Sequence, residues 1–312
     1  MKIAIMATGA VGGYFGGKLA LAGHDVTFIA RDAHGDAIRK NGLRVDSVKG
    51  NFVVENAQVT DNPSTVGPVD IILFAVKLWA TEEAAELCRP MVGPNTLVIP
   101  LQNGVDALAI VSGVLGAEHV GGGIAKISAV ISEPGMISHV SDFASIEFAE
   151  ANSQPSTRTT NFQAACTEAG FDAVIATDIV KSLWLKFVFL AALSGITTAA
   201  RNPVGPIIES EEGINAFRSC MAETVRVGQK LGVALSDETA ERVLKFVKSL
   251  PPTMKASQLG DLESGNRLEA PWLTGAVCRM GRELGIETPV NDAIYAVLRP
   301  FVNGSDRPKD VI

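Results

Sequence analysis

The first part of the chain alternates short apolar runs of strand length with helical segments. Residues 2–6 form an apolar run typical of a strand, residues 10–22 carry helical patterning, and residues 25–29 predict a second strand. Two later runs, 69–76 and 95–101, are almost continuously apolar, as parallel strands buried on both faces are. This pattern predicts an α/β domain with a Rossmann-type, doubly wound parallel sheet.

The remaining segments complete this half of the chain and then change in character. Further helices are predicted at 33–41, 81–88 and 161–169, and further strands at 43–48, 51–54 and 173–176, with short alternating strands within 120–149. After residue 178 the strand signals vanish, and helices are predicted at 179–200, 211–231, 236–249, 271–284 and 289–301. The change predicts a second, all-helical domain, and we place the boundary near residue 175, which gives domains 1–175 and 176–312. We expect the tail, 303–312, to be frayed.

A glycine-rich turn joins the first predicted strand to the first helix. It reads Ala7-Thr8-Gly9-Ala10-Val11-Gly12, which matches a G-x-G-x-x-G dinucleotide fingerprint except for alanine in the first glycine position. Such glycines let the backbone approach a pyrophosphate and let the helix pack closely on the strand, while the helix N-terminus offers N–H groups to the anion. We expect the alanine to be tolerated with a negative φ. The turn therefore predicts a dinucleotide site.

The end of the second strand bears on which dinucleotide is bound. An acidic residue there is typical of NAD sites, whereas an arginine suits the 2′-phosphate of NADP. The sequence has Arg31 at this point, followed by Asp32. The arginine can form two parallel hydrogen bonds with a phosphate, so we predict NADP; the alternative is a solvated arginine paired with Asp32.

Composition and charge limit the class of protein. The chain has 312 residues, of which 47% are hydrophobic, which is enough for two domains with a sizeable core. A net charge of −7 argues against a nucleic-acid or anionic-membrane surface. The four cysteines have no metal-like spacing, and we expect them to be small buried hydrophobes in a reducing compartment. We therefore predict a cytoplasmic protein without a metal site.

One segment approaches the length of a membrane span. Residues 183–200 are mostly apolar, but Lys186, Ser194, Thr197 and Thr198 interrupt the run. We predict that this segment is a buried core helix.

Polar residues follow the buried strands at their carboxyl ends, where open α/β sheets bind their ligands. Lys77 follows one strand and Asn103 follows the next, both beside the glycine turn. The alternative is that Lys77 and Asn103 are ordinary polar loop residues that bind no ligand.

In the helical half, the polar segment 257–267 and Glu269 form either a surface loop or the wall of a cleft between the domains.

Reduction of a carbonyl by hydride transfer also needs a proton donor. None of the four histidines lies in the helical half, and we expect His24 and His34 to be solvated loop residues. Lys186 lies within the apolar segment 183–190, and burial there would lower the pKa of the lysine toward neutrality. The alternative is a lysine whose side chain runs along the helix to solvent.

Taken together, these motifs resemble those of the ketopantoate reductase (2-dehydropantoate 2-reductase) family along nearly the whole chain. The resemblance rests on the glycine turn with Gly-Gly-Tyr-Phe-Gly-Gly at 12–17, Val76-Lys77, Gln102-Asn103-Gly104, Trp184-Leu185-Lys186, Ser257, Glu269 and Gly285-Ile286-Glu287-Thr288-Pro289.

The resemblance implies an N-terminal Rossmann domain, a helical C-terminal domain and a site in the cleft between them. It implies that NADPH reduces a 2-oxo acid, ketopantoate, to D-pantoate on the way to coenzyme A. The cofactor-binding residues that it implies are Thr8, Gly9, Ala10, Val11, Gly12, Arg31, Lys77, Asn103 and Glu269. Lys186 would be the proton donor, with Glu269 helping to position it, and the substrate contacts would be Asn103, Lys186, Leu190, Ser194 and Ser257.

Two positions depart from the pattern of the family. One and two helical turns after the lysine, the family has asparagines that hydrogen-bond the substrate, whereas this chain has Leu190 and Ser194. A leucine cannot bond a hydroxyl or a carboxylate, and an unpaired buried polar group costs about 1–3 kcal/mol. Because Lys186 remains, the predicted reaction type is unchanged, while the identity of the 2-oxo acid stays open.

The sequence is consistent with three alternative functions. The first is an NADPH-dependent reductase of a small 2-oxo acid such as ketopantoate, and the second is a paralogue acting on a more apolar 2-oxo acid. The third is a non-catalytic NADP-binding sensor, against which the retention of Lys77, Asn103, Lys186 and Glu269 argues. We expect a small-molecule substrate, no nucleic-acid or membrane partner, and consider a homodimer as the assembly.

Overall fold

Contacts within the chain define two compact units, and the computed structural model describes residues 1–304. The first unit comprises residues 1–102 and 106–179, and the second comprises residues 103–105 and the chain from residue 180 onward. Residues 305–312, most of the tail that we expect to be frayed, lie outside the described part of the chain.

The first unit contains both strands and helices. Its strands are β1 (Lys2–Met6), β2 (Asp25–Ile29), β3 (Leu43–Ser47), β4 (Phe52–Val54), β5 (Gln58–Thr60), β6 (Val69–Phe74), β7 (Val92–Pro100), β8 (Gly121–Glu133), β9 (Met136–Glu150) and β10 (Asp172–Ile175). Its helices are α1 (Ala10–Leu21), α2 (Asp32–Asn41), α3 (Thr81–Cys88), α4 (Ala107–Leu115) and α5 (Thr157–Glu168).

The predicted parallel sheet is present, with the strand order β5-β2-β1-β6-β7. The central strand β1 pairs in parallel with β2 on one side and with β6 on the other. Ile5 lies opposite Phe28 in β2 and Leu73 in β6, and all three side chains are fully buried. The continuous apolar runs therefore do mark strands that are covered on both faces, which confirms the Rossmann-type prediction.

A second sheet departs from the prediction of short strands within 120–149. Its order is β10-β9-β3-β4, with β8 on the other side of β9, and β8 and β9 are long, at 13 and 15 residues. Pro134 and Gly135 make the turn between them, where Gly135 takes a φ of +79° that glycine adopts without strain. The pairing of β8 with β9 shifts register near Ser128, but both strands continue past this point. The breaks in the hydrophobic pattern of the sequence therefore do not mark strand ends.

The described residues of the second unit form helices and no strand, as predicted. They are α6 (Ile179–Ala200), which begins at the boundary, α7 (Val204–Ile208), α8 (Glu211–Lys230), α9 (Thr239–Lys248), α10 (Ser257–Glu263), α11 (Thr274–Leu284) and α12 (Pro289–Leu298).

Helix α6 contributes several side chains to the core of the second unit. Phe187, Val188 and Ala191 are fully buried in a hydrophobic cluster that also includes Phe217 of α8 and Val277 of α11. By length and composition alone, the 22 residues of α6 could cross a membrane. Their packing is instead that of a core helix, as the polar interruptions predict.

The cysteines are all free and buried, as expected. Burial raises the pKa of the Cys88 and Cys278 thiols to about 12, so both remain protonated at neutral pH. Within residues 1–304, no group of histidine, cysteine or acidic side chains has an arrangement that could hold a metal ion.

Candidate functional site

The glycine turn ends at the N-terminus of α1, and no side chain caps this helix. Gly9 is the N-cap residue, and the N–H of Gly13 donates to the carbonyl of Gly9 at 2.7 Å, which is the first bond of the helical ladder. The N–H groups of Ala10, Val11 and Gly12 therefore precede that ladder and are available to an anion. A Cβ added at Gly9 would meet no atom of the chain within 4 Å, so the backbone is open to a ligand at this point.

The last glycine of the turn serves packing instead. A Cβ on Gly12 would lie 2.8 Å from both the carbonyl oxygen of Ala7 and the side chain of Ile5 in β1. Only glycine permits α1 to approach β1 this closely, which is the role expected of the third glycine in a dinucleotide fingerprint.

Ala7, in the first glycine position, corrects our expectation of a negative φ. Its φ is +67°, in the left-handed region that costs an alanine about 1–2 kcal/mol. The conformation is held by Thr8, whose N–H and hydroxyl donate to the carbonyl of Ile29 at 2.9 and 3.1 Å. The chain has to turn sharply after Met6 for Thr8 to reach the end of β2, and the left-handed residue makes that turn.

Arg31 lies just beyond Ile29, and so next to the glycine turn. It is exposed and precedes α2 as its N-cap residue. Within residues 1–304 its guanidinium makes no ion pair or hydrogen bond, and the alternative pairing with Asp32 does not occur. A cation that has no partner among the described residues thus lies beside the uncapped N-terminus of α1, which is a suitable arrangement for a phosphate.

The two histidines near β2 are not solvated, so that part of the prediction is wrong, although His24 does lie in the loop between α1 and β2. His34 is half-buried within α2, and its Nδ1 accepts a hydrogen bond from the Gly135 N–H at 3.1 Å. Burial lowers the pKa of His34, and the backbone of Thr8 raises it by less. The side chain of His24 is only 11% exposed and lies 3.9 Å from the carboxylate of Glu168. Packing of neighbouring elements covers both rings.

A chain of hydrogen bonds links the loops that follow β6 and β7. Gln102 is buried, and its Nε2 donates at 2.8 Å to the hydroxyl of Thr81, which itself donates to the carbonyl of Leu78 at 2.8 Å. These contacts lie beside Lys77, which is exposed, and Asn103, which is half-buried. The Oε1 atom of Gln102 is buried without a hydrogen-bond partner among the described residues, so this end of the sheet has a free acceptor.

In the second unit, Lys186, Leu190 and Ser194 lie four residues apart on one face of α6. Lys186 and Leu190 are half-buried, and Ser194 is buried. Lys186 is therefore neither fully buried nor fully solvated, which is intermediate between our two interpretations. The spacing puts the predicted proton donor and the two positions that depart from the family in one row. We call this row the α6 stripe.

The segment after residue 256 is a helix with a buried face rather than a surface loop, which corrects one of our two interpretations of it. Ser257 is the exposed first residue of α10, whereas Gln258 is buried. The Nε2 of Gln258 donates to the carbonyl of Ser194 at 3.3 Å and to the hydroxyl of Thr198 at 3.5 Å. Sequence reasoning missed Gln258, although the three-residue spacing of Ala256, Leu259 and Leu262 is a helical signal.

Glu269 is buried, with 8% of its surface exposed, and precedes a short turn in which the Trp272 N–H donates to its carbonyl. The predicted site residues thus divide into two groups. The first unit holds the glycine turn, Arg31 and Lys77, and the second holds Asn103, Lys186, Leu190, Ser194, Ser257 and Glu269. Their roles stay predictions.

Known proteins resemble the chain over nearly its full length. The family model "Ketopantoate reductase PanE/ApbA" matches residues 3–153, and "Ketopantoate reductase PanE/ApbA C terminal" matches residues 178–302. The 2-dehydropantoate 2-reductase of Mesorhizobium japonicum is 30% identical, with 96% of this chain and 97% of the relative covered.

Solved structures agree with this assignment. The PanE/ApbA family ketopantoate reductase from Ralstonia eutropha JMP134 has a TM-score of 0.88 at 30% identity, covering 96% of this chain and 98% of that one. A D-mandelate dehydrogenase bound to NADH and anilino(oxo)acetate also has a TM-score of 0.88, but at 21% identity over 96% and 98% of the two chains it shows the shared fold alone. The chain belongs to the ketopantoate reductase family, as the sequence motifs indicate, and is therefore a pyridine-nucleotide-dependent oxidoreductase.

Proposed function

We propose that this member of the ketopantoate reductase family uses NADPH to reduce a small 2-oxo acid to the 2-hydroxy acid. The observation that carries the proposal is the retention of Lys186 on the α6 stripe, in a chain that also has an open dinucleotide turn. Reduction of ketopantoate to D-pantoate, and with it a role in pantothenate and coenzyme A synthesis, is the specific form of the proposal. A cytoplasmic location and a homodimer stay predictions.

The residues of the first unit fit a dinucleotide phosphate. The free N–H groups at Ala10, Val11 and Gly12 would bind the pyrophosphate, and the open face of Gly9 leaves room for it. The Arg31 guanidinium would bind the 2′-phosphate, which favours NADPH over NADH. The free Oε1 of Gln102 and the side chain of Lys77 lie at the carboxyl ends of the neighbouring strands, where further polar parts of the cofactor would be bound.

The second unit would supply the proton. When bound, the nicotinamide supplies a hydride to the carbonyl carbon of the 2-oxo acid. As negative charge develops on the carbonyl oxygen, the Lys186 ammonium donates a proton to it, which yields the hydroxyl and a neutral lysine. Asn103 and Ser257 would orient the substrate, and the buried carboxylate of Glu269 would hold the lysine and the cofactor in position.

The histidines offer no alternative donor in the second unit, because all four belong to the first. The most buried of them, His139, bonds through Nδ1 and Nε2 to the hydroxyls of Ser47 and Ser141. A histidine acid would therefore have to leave these contacts, whereas Lys186 lies on the same helix face as the predicted substrate positions.

A second candidate is the reduction of a 2-oxo acid with an apolar side chain. It is favoured by Leu190, which puts an apolar group where the family has an amide. The D-mandelate dehydrogenase of the same fold is bound to anilino(oxo)acetate, an oxo acid with an aromatic group. A sensor without catalysis would not require Lys186, Asn103 or Glu269.

Oxidation of NADPH at 340 nm tests the proposal across a panel of 2-oxo acids that includes ketopantoate and apolar and aromatic members. Turnover of one or more members, lost when Lys186 is replaced by alanine, is the expected result. Tight NADPH binding without turnover of any member would favour the sensor and contradict the proposal.

A further inference from the structure

His34 is half-buried in α2, and its contacts determine its tautomer. Its Nδ1 accepts a hydrogen bond from the Gly135 N–H at 3.1 Å, so in the neutral ring the proton lies on Nε2. The Nε2 atom is buried, and among residues 1–304 it completes no hydrogen bond. A buried donor of this kind is costly to leave unused. This end of the ring is therefore available to an acceptor beside it.

The backbone of the glycine turn lies beside this donor. Burial lowers the pKa of His34, and the backbone of Thr8 raises it by less. A backbone carbonyl that faces a ring N–H raises the pKa of a histidine, because the protonated ring is the better donor. Since Nδ1 is occupied as an acceptor, the Nε2–H is the group that faces Thr8, although the contact falls short of a full hydrogen bond.

The other end of the ring holds the turn between β8 and β9. A Cβ on Gly135 would lie 2.9 Å from the Cβ of Ala37, so this turn packs directly on the helix that carries His34. Two residues later, Ile137 is fully buried, and its Cδ1 would lie 2.3 Å from a Cβ on Gly13 in the first turn of α1. The start of β9 thus contacts both α2 and the helix that follows the glycine turn.

Both segments that meet at His34 contain a left-handed residue other than glycine. Ala7 in the glycine turn has a φ of +67°, and Asp32, the first residue of α2, has a φ of +54°. Such conformations persist only where the surrounding structure holds them. The bonds from Thr8 to Ile29 hold the glycine turn to the end of β2. A ring between Thr8 and the β8–β9 turn would hold it from a second side.

We propose that His34 is a positioning residue for the cofactor, which holds the glycine turn in the conformation that binds the pyrophosphate. Its Nδ1 is anchored to Gly135, and its Nε2–H is directed to the Thr8 carbonyl. Because this carbonyl belongs to the peptide that leads into Gly9, holding it fixes how the N-terminus of α1 faces an anion. The ring acts through the turn, since its buried Nε2 is out of reach of a ligand. The proposal rests on the proposed function only in taking the glycine turn as the pyrophosphate site.

The test is fluorescence titration of NADPH and NADH against the wild-type protein and two variants. His34→Leu keeps an apolar side chain of similar size but removes both nitrogens. It should weaken both cofactors by the same factor, about fivefold to tenfold, because both contain the pyrophosphate. His34→Gln keeps one acceptor and one donor and should recover most of the affinity. With a 2-oxo acid that is turned over, His34→Leu should raise the KM for NADPH and leave kcat unchanged.

The matched control is His24→Leu, at the opposite end of β2. The side chain of His24 is also mostly buried, at 11% exposed, and its Nδ1 lies 3.4 Å from the N-terminal amino group. Loss of this ring should lower stability without changing the affinity for either cofactor. A second measurement needs no substitution. In the NMR spectrum of the wild-type histidine rings, His34 should be the Nε2–H tautomer, and this proton should exchange more slowly when NADPH is bound.

The outcomes separate this inference from the proposed function. Unchanged cofactor affinity in His34→Leu overturns the inference, as does a loss that His34→Gln does not relieve or that His24→Leu reproduces. A loss of NADPH affinity alone also overturns it, because that result points to Arg31 and the 2′-phosphate. An Nδ1–H tautomer of His34 overturns it whether or not the variants fold. A wild-type protein that binds NADPH but reduces no 2-oxo acid overturns the proposed function only, and one that binds neither cofactor overturns both.

Discussion

Replacement of Arg31 by alanine should remove most of the preference for NADPH over NADH. The guanidinium has no partner among residues 1–304, so binding a 2′-phosphate would break no ion pair within the chain. Hydrogen bonds between charged groups contribute about 1.5–3 kcal/mol, and because Arg31 is exposed we expect the lower end of this range. A difference of about 1.5 kcal/mol corresponds to about tenfold in affinity.

The assay is titration of both cofactors against the wild-type and variant proteins, with the ratio of the two dissociation constants as the result. Arg39→Ala is the matched control, because Arg39 is exposed on the same helix α2 but already pairs with Asp36 and with Asp61 at 3.7 Å. The control should keep the wild-type ratio. Equal affinity of the wild-type protein for NADPH and NADH would refute the reasoning, as would an equal effect of the two substitutions, which would point to net charge alone.

Three further predictions concern the proton donor, the glycine turn and acid stability. Lys186→Ala should lower kcat by about 10²–10⁴-fold with NADPH affinity unchanged, and steady-state activity above about a tenth of wild type would assign the proton to another group. Ala7→Gly should stabilise the protein by up to about 1 kcal/mol in urea unfolding, because relief of a left-handed alanine outweighs the entropy of glycine; a loss of stability would contradict this. Burial lowers the pKa of folded His34, so the unfolded chain binds more protons and stability should fall as the pH drops through about 6.5; His34→Gln should flatten that slope between about pH 7 and 5, and an unchanged slope would contradict it.

The fold was predictable where local patterns and burial agree. The runs that became β1, β6 and β7 are apolar because both faces of the parallel sheet are covered, and that requirement is visible in the sequence itself. Strand β5 was missed, because its three residues acquire strand conformation from pairing with β2 rather than from their own pattern. The long strands β8 and β9 were predicted as several shorter strands. Local breaks in the apolar pattern suggest strand ends, but pairing between the two strands continues across these irregularities.

The candidate site was predictable at the level of motifs but not of contacts. The glycine turn and Arg31 follow from strand–turn–helix spacing, whereas the left-handed φ of Ala7 is imposed by bonds from Thr8 to a carbonyl 21 residues away. The side-chain amides of Gln102 and Gln258 are held in place by hydrogen bonds to Thr81 and Ser194, which lie in other segments of the chain. No pattern along the chain distinguishes a buried glutamine with one unused oxygen from a solvated one.

Helix α6 shows how the substrate of such an enzyme could change while its reaction does not. Phe187 and Ala191 are fully buried in the core, whereas Leu190 on the α6 stripe is only half-buried and packs against the edge of that core. A substitution at Leu190 can therefore alter the surroundings of the substrate without removing Lys186, and it costs less packing than one at a fully buried core position. In this chain the amides expected on α6 are absent, yet an amide from α10 reaches the same turn. The loss of asparagines from α6 therefore does not by itself argue for an apolar substrate, because the polar groups around this helix come from more than one segment of the chain.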